Sequence, residues 1–445
     1  MNHYDLVIKN GMTLAFDPTL KSIKNEFLNI GISHGKITSL SVKPSDTAHQ
    51  VFDAQHLHVL PGVIDSQVHF REPGLTHKED IESGTRAALL GGVTTIFEMP
   101  NTSPSTTTEE NFLHKCELAK NRAHCHYGFF IGGSPDNTEH LNFLEKMPHC
   151  AGVKVFLGSS FGNLLIDEDE VFKKILQNGK RPVIIHSEDE QRLRARKYLA
   201  ENSAHVQSHP IWRDEESALI STQKSIAFAR QFQRPVHILH VSSMEEMQFL
   251  SKNKDICTVE ILPQFLTFSA PECYEKWGTL AQQNPPIRDR RHLEFLWKAI
   301  HDGTVDIIGS DHAPHTIEEK NKKYPSSPSG MPGVQTLLVS MLDHVSKNKI
   351  SLNHLVTLLS ENPRKLFGLK NKGRIQIGYD ADLTIVDLKK SQKVEKSWLA
   401  SKSNWSLFEN MTLTGWPTDV FLEGQHALVD GQIRLPHLGK AVEFN

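Results

Sequence analysis

The chain lacks most of what marks a secreted, membrane or nucleic-acid-binding protein. Cysteine is scarce, five in 445 residues (Cys116, Cys125, Cys150, Cys257 and Cys273), an odd number without metal-binding spacing. That argues against a disulfide framework and reads as reduced thiols in a cytoplasmic protein. No apolar run approaches the ~20 residues that a membrane helix needs. The start, Met1-Asn2-His3-Tyr4-Asp5, has no basic region followed by an apolar stretch, so no signal peptide is expected there. An excess of one charge is missing too: 49 Lys and Arg stand against 52 Asp and Glu, a net charge of -3. That balance gives no case for nucleic acid or an anionic membrane as partner. Short-period repeats, low-complexity tracts and long linkers are also absent. What the chain does have is histidine, 25 residues of it, and enough length for one large barrel plus a smaller domain.

Four short apolar runs each end in a potential metal ligand. They are Val63-Ile64-Asp65-Ser66-Gln67-Val68-His69, Val183-Ile184-Ile185-His186, Val236-His237-Ile238-Leu239-His240 and Ile307-Ile308-Gly309-Ser310-Asp311. A fifth, Gly152-Val153-Lys154-Val155-Phe156, carries a lysine where a buried strand should have none. Eight apolar runs occur in all: 63–69, 93–99, 125–131, 152–157, 182–186, 235–240, 256–262 and 305–310. Most gaps are long enough for a helix, and eight such units over about 250 residues is the size of a (β/α)8 TIM barrel. An open doubly wound sheet alternates in the same way. The barrel is favoured because strand C-termini converge on one face of a closed ring, which would bring these ligands together. Thr76-His77-Lys78-Glu79 fits a capping box, with Gly91-Gly92 ending its helix. Both ends of the chain read as short strands with turns, such as Asn10-Gly11. The expected architecture is α/β: a barrel over 61–369, and a small β-sandwich domain built from 1–60 and 370–445.

Each candidate has a plainer reading. Asp65, Gln67 and His69 share one strand face, but Asp-x-Gln-x-His alone is a weak signal. Arg71, two residues on, could grip a substrate carboxylate in bidentate fashion or simply pair with Glu72. A single His at a strand end is more often structural; His186 and His240 at corresponding ends make a zinc site the better reading. A buried ammonium at Lys154 is costly unless it pairs with an acid or is modified, for instance by CO2 to an anionic carbamate that could bridge two metals. Asp311, followed by His312-Ala313-Pro314-His315, could take a proton from a metal's water and deliver it to a leaving nitrogen.

Together these residues resemble the amidohydrolase superfamily, and within it the dihydroorotases. The resemblance spans almost the whole chain. It is carried by Pro61-Gly62-Val63-Ile64-Asp65, His69-Phe70-Arg71-Glu72-Pro73-Gly74, Met99-Pro100-Asn101-Thr102 and Gly152-Val153-Lys154. Further on come Asn284-Pro285-Pro286-Ile287-Arg288, Ser310-Asp311-His312-Ala313-Pro314-His315 and Gly330-Met331-Pro332-Gly333. The Arg-Glu-Pro-Gly and Met-Pro-Asn-Thr elements separate dihydroorotases from hydantoinases, dihydropyrimidinases and allantoinases. The resemblance implies a metal site of His69, Lys154 as carbamate, His186, His240 and Asp311, with one or two zinc ions. Asp311 would be the catalytic base and acid. Arg71, Asn101 and His315 would bind the substrate carboxylate, with Asn284 a further contact, and the loop from about Gly158 to Leu165 would close over the substrate. The implied reaction is the reversible cyclisation of N-carbamoyl-L-aspartate to L-dihydroorotate in pyrimidine synthesis. A homodimer is the family-level expectation.

One departure matters. Such enzymes usually begin with His-x-His, and here the first His is Gln67, whose amide oxygen is a neutral, weak zinc ligand. The site then keeps both metals with Gln67 or water as ligand, works with one metal held by Lys154, His186 and His240, or is dead. A working site is favoured because Asp311, Arg71, Asn101 and His315 are all present. Pro263-Gln264-Phe265, where relatives often carry Pro-His-His, is a second departure, with Glu260 a candidate remnant of an auxiliary contact. Two other functions stay open: a different cyclic amidohydrolase (hydantoinase- or allantoinase-like), and a non-catalytic structural partner of aspartate carbamoyltransferase.

Overall fold

The computed structural model describes residues 2–158 and 162–445. The chain opens with five strands: β1 (His3–Asp17), β2 (Ser22–Ser33), β3 (Lys36–Ser39), β4 (Thr47–Asp53) and β5 (His58–Pro61). Then come β6 (Val63–Val68), β7 (Val93–Glu98), β8 (His126–Gly132), β9 (Cys150–Phe156), β10 (Val183–His186), β11 (Val236–Ile238), β12 (Cys257–Ile261) and β13 (Ile307–Ile308). The last are β14 (Leu383–Lys393), β15 (Thr412–Leu422), β16 (Gln425–Val429) and β17 (Gln432–Ile433).

Strands β6 to β13 pair in chain order, all parallel, as one eight-stranded sheet. The ring closes where Val68 bridges to His312 and the His69 N–H donates to the His312 carbonyl at 2.7 Å. Helices cover the outside, so these strands are buried on both faces and read as nearly continuous apolar runs. The eight runs expected from the sequence are these eight strands. At the end of the ring away from the ligands, Phe97, Phe130, Phe367 and Phe444 pack edge to face, so the C-terminal tail plugs the barrel.

The remaining strands, from both ends of the chain, form a separate nine-stranded mixed sheet. It joins the barrel through β5, which leads directly into β6, and through Asp382, whose carbonyl accepts from Gly62 N–H at 2.8 Å. Among the described residues no helix is long and apolar enough to cross a membrane.

Two local expectations are corrected. The first barrel helix, α1 (Ile81–Leu90), is capped by Asp80 and not by Thr76. The Asp80 carboxylate accepts from Ser83 N–H at 2.8 Å. Glu79 cannot close a box on Thr76 because it is buried and turned to Ser83, Ser401 and His312. The stop at Gly91 stands, its N–H returning to the Ala87 carbonyl. Asn10-Gly11 is not a hairpin turn. It is an irregularity inside β1, where the register with β2 shifts between Ile8 and Gly11. Asn10 takes φ 58°, which asparagine tolerates, and its amide is held by Asp53 at 3.1 Å. A Cβ at Gly11 would meet Val59 at 2.5 Å.

Candidate active site

One cavity at the C-terminal face of the barrel is lined by Gln67, His69, Arg71, Asn101, Lys154, His186, His240, Asn284, Asp311 and His315. These come from seven separate stretches of chain, and every candidate site residue is among them. Phe156, Ala313, Ser329 and Gly330 complete the wall and were not anticipated as lining. Three of the residues sit in the left-handed region just past a strand end: Arg71 at φ 63°, His240 at 39° and Asp311 at 46°. Such backbone is uncommon outside glycine and persists only where the surroundings enforce it, most often at functional sites.

The inner half of the site holds Lys154, His186 and His240. Lys154 is 1% exposed and its ammonium has no hydrogen-bond partner. The plainer alternative, a lysine paired with an acid, is therefore not what forms. Burial pushes its pKa down to about 7, opposed by Asp311 and Glu260. Much of it is then the neutral amine at neutral pH, the form that can add CO2. His186 Nε2 lies 2.8 Å from Glu188 Oε2. Burial alone would raise the Glu188 carboxyl, but the fully buried Arg213 guanidinium and His186 hold it well below the usual range. Being ionised, Glu188 only accepts, so the His186 ring proton sits on Nε2 and the lone pair on Nδ1. That lone pair points at His240 Nε2, 3.0 Å away. Burial lowers both imidazoles, and each is lowered further by a neighbouring cationic group. Both are thus neutral, the form that binds metals.

The outer half is built around Asp311. Its Oδ1 is 3.0 Å from Gln67 Nε2 and 3.2 Å from His69 Nε2. His69 Nδ1 is 2.6 Å from Asn101 Oδ1. Gln67 Oε1 is buried and has no partner. Beneath this half, Asp65 accepts from the Ser310 N–H at 3.1 Å and so ties β6 to the loop that carries Asp311.

At the rim, Arg71 does not pair with Glu72, which is taken by Arg122 at 2.9 Å. Arg71 Nε instead donates to the Pro314 carbonyl at 3.2 Å, leaving the guanidinium beside His315. Burial lowers Arg71 to about 10, so it stays charged at neutral pH. His315 is driven far below its ordinary range by burial, Arg71, Lys78 and Lys320, and is neutral. Asn284 is 3.0 Å from His209 Nε2.

Gln264 and Glu260 do not line the cavity. Gln264 donates to Gln283 and to the Ser310 carbonyl, each at 3.2 Å, and so braces the loop under Asp311. Glu260 accepts from Ser66 at 3.1 Å and is pushed up to about 8 by burial. Of the expected closing loop, residues 159–161 lie outside the described residues.

Among the described residues no group of three His, Cys, Asp or Glu side chains is set to hold an ion by itself. In the inner half, however, two neutral imidazole nitrogens converge beside a buried amine with no partner. A lysine completes that set only as a carbamate, which supplies the missing anionic oxygen. The inner donors fit one divalent cation on those terms. Glu188 and Arg213 fix the imidazole from behind, as residues around metal ligands commonly do. Neither was anticipated; the only sequence signal for Glu188 is its place two residues after His186.

The sequence profile of the amidohydrolase family matches residues 58–427. A dihydroorotase of Methanothermobacter thermautotrophicus is 32% identical over 414 residues, covering 91% of this chain and 92% of that one. A dihydroorotase of Methanosarcina acetivorans is 35% identical over 398 residues, 85% of this chain and 84% of its own. Among solved structures, an L-hydantoinase (dihydropyrimidinase) from Arthrobacter aurescens superposes with a TM-score of 0.93 at 28% identity, over 99% of this chain and 100% of that one. Members of this family are generally metal-dependent. With the family profile over most of its length and these relatives along nearly all of it, the chain belongs to the amidohydrolase family and, by its curated relatives, to the dihydroorotase group.

Proposed function

We propose that this chain is a zinc-dependent dihydroorotase, closing N-carbamoyl-L-aspartate to L-dihydroorotate and reopening the ring. The observation that carries this reading is the convergence of Arg71, Asn101 and His315 with Asp311 and the His186–His240 pair in one cavity. A ring amide that also bears a carboxylate needs both sets of groups.

Lys154 as carbamate, His186 and His240 would hold the zinc ion, with His69 and Asp311 beside it. When bound, the cation supplies Lewis-acid polarisation of the amide carbonyl and a nucleophilic water at neutral pH. Arg71 grips the substrate carboxylate with its planar fork, and Asn101 and His315 supply further hydrogen bonds. Holding that carboxylate fixes where the reacting carbonyl lies, which lowers the entropic part of the barrel-mouth reaction. In the hydrolytic direction Asp311 takes the proton of the attacking water and passes it to the departing ring nitrogen. In the synthetic direction it takes the proton of the carbamoyl nitrogen that attacks the side-chain carboxyl carbon, and returns it to the departing oxygen. The free thiols of all five cysteines support a reducing, cytoplasmic setting.

The fit to a hydantoinase structure favours one other reading, a cyclic amidohydrolase for rings without a carboxylate. A substrate panel separates the two. L-Dihydroorotate should be hydrolysed, and dihydrouracil and hydantoin should not. Arg71→Met should raise KM for dihydroorotate about 10- to 100-fold, as expected for losing one partner of a buried charge pair. Equal turnover of the carboxylate-free rings, or an unchanged KM in that variant, would move the assignment to the hydantoinase reading.

A further inference from the structure

Behind the carboxylate-binding rim lies a lysine with no role so far. Lys78 stands in the loop between β6 and α1, its side chain 12% exposed. Its Nζ is 3.1 Å from His315 Nδ1 and 3.1 Å from Glu319 Oε1. An ammonium only donates. His315 Nδ1 must therefore offer its lone pair, and the ring proton lies on Nε2. The surroundings of Nε2 agree: the Ser329 carbonyl, which only accepts, is 3.1 Å away. Arg71 Nη2 lies 3.4 Å from the same Nε2. The Nε2–H therefore donates to the Ser329 carbonyl, and the Arg71 Nη2 beside it has no lone pair on the ring to turn to.

The other tautomer would undo this arrangement. It would set an Nδ1–H against the ammonium, and it would make Nε2 an acceptor that occupies Arg71. The Nε2 lone pair would then face the Ser329 carbonyl, and an incoming anion would meet a guanidinium already donating to the ring. The charges around the ring also matter. Arg71, Lys78 and Lys320 face it as cations, and Glu319 lies 3.6 Å from Nδ1 as the counter-charge. Lys320 is itself tied to the carbonyls of Gln282, Pro328 and Gly330, so it shapes the wall but does not touch the ring.

We propose that Lys78 is a positioning residue for the substrate's carboxylate. It holds His315 in the Nε2–H form, turned to the Ser329 carbonyl, so that Nε2 does not accept from Arg71 and the Arg71 fork stays free for the carboxylate. The inference rests on the dihydroorotase reading above.

The test compares three variants of the metal-loaded enzyme. Lys78→Met should raise KM for L-dihydroorotate about tenfold, the usual weight of a hydrogen bond to a charged group. Its kcat should stay within about threefold and its metal content should not change. Lys78→Arg, which keeps the charge and the donors, should recover most of that loss. Glu319→Gln separates this role from a mere tether between the loop and the helix after Thr316. It removes the counter-charge of Lys78 but keeps an acceptor for the Thr316 N–H, which Glu319 now receives at 3.2 Å. If Lys78 acts on His315, Glu319→Gln leaves KM at or below the wild-type value. A tether predicts that losing either partner raises KM alike. An unchanged KM in Lys78→Met, or equal rises in Lys78→Met and Glu319→Gln, overturns the proposal. A wild-type enzyme without turnover of dihydroorotate overturns the dihydroorotase reading itself, an outcome distinguishable because it does not depend on Lys78.

Discussion

The two halves of the site are built on different principles. The inner half is held from outside. His186 Nδ1 and His240 Nε2 face each other at 3.0 Å, and Glu188 with Arg213, both fully buried, keeps the His186 tautomer fixed. Nothing within hydrogen-bonding distance answers Lys154. The outer half answers its own carboxylate and leaves one buried atom unanswered, the Gln67 amide oxygen. Gln67 and His69 both turn to the same oxygen of Asp311, and Asn101 closes the chain on His69. An unanswered buried amine beside two neutral imidazoles costs free energy unless something else binds there. A carboxylate with a ready donor carries no such demand. The inner half is thus organised for a ligand from outside the chain, and the outer half can hold Asp311 in place without one.

The largest expected effect lies where the halves meet. Asp311→Asn should reduce turnover by about 10³-fold, in the range of losing a general acid–base group. The metal content should remain, because the inner donors are untouched. Inductively coupled plasma analysis beside a dihydroorotate assay reads both, and loss of metal with activity would show that Asp311 is needed by the inner half as well. The next effect bears on the inner half alone. Glu188→Gln can donate to His186 Nε2 and so release the tautomer. Metal affinity, measured by chelator competition on protein whose circular dichroism is unchanged, should fall about 10- to 100-fold. An unaltered affinity would mean that the imidazole is held by its packing and that Glu188 serves only to neutralise Arg213.

Loading of the inner half should also depend on pH. The folded Lys154 lies near 7, below the ordinary lysine range, because burial disfavours the ammonium. Below that value it is charged and cannot add CO2; above it the amine is free. Metal-free protein given zinc and ¹³C-bicarbonate should therefore show a carbamate carbon signal readily at pH 8 and only weakly at pH 6. The same signal at both values would place the lysine's titration outside this window.

The sequence made the barrel and the ligand ends legible for one reason: both depend on local pattern. A strand buried on both faces is an apolar run, and a polar residue at its end stands out against it. Lys154 stands out most, since a charge inside such a run has no ordinary excuse. The second layer was not legible. Glu188, Lys78 and Arg213 look like ordinary surface charges in sequence; the folding of the β10–β11 connection brings Arg213 onto Glu188, and the closing of the ring brings Lys78 onto His315. The cap of α1 failed for a related reason. Thr76-x-x-Glu79 has the right spacing, but Glu79 is claimed by Ser401, a residue from the far end of the chain. Spacing describes what a segment can do alone, and a partner from elsewhere in the fold can redirect it.

The smallest expected effect is also the one that most directly tests the comparison. If Gln67 stands in for a ligand, the amide must present Oε1 toward Asp311, which two oxygens 3 Å apart tolerate only with a cation between them. If it stands in for the cation itself, the amide donates through Nε2, as it does in this structure, and the outer half needs no ion. The second reading expects about one zinc per chain in the wild type. Gln67→His should then raise that toward two, since an imidazole restores the missing strong ligand. Activity should change only a few-fold, because Asp311 is already held in place. About two ions in the wild type, with no further gain in the variant, would show that the outer half binds a cation through the amide oxygen, and the difference between the halves would then be one of ligand strength alone.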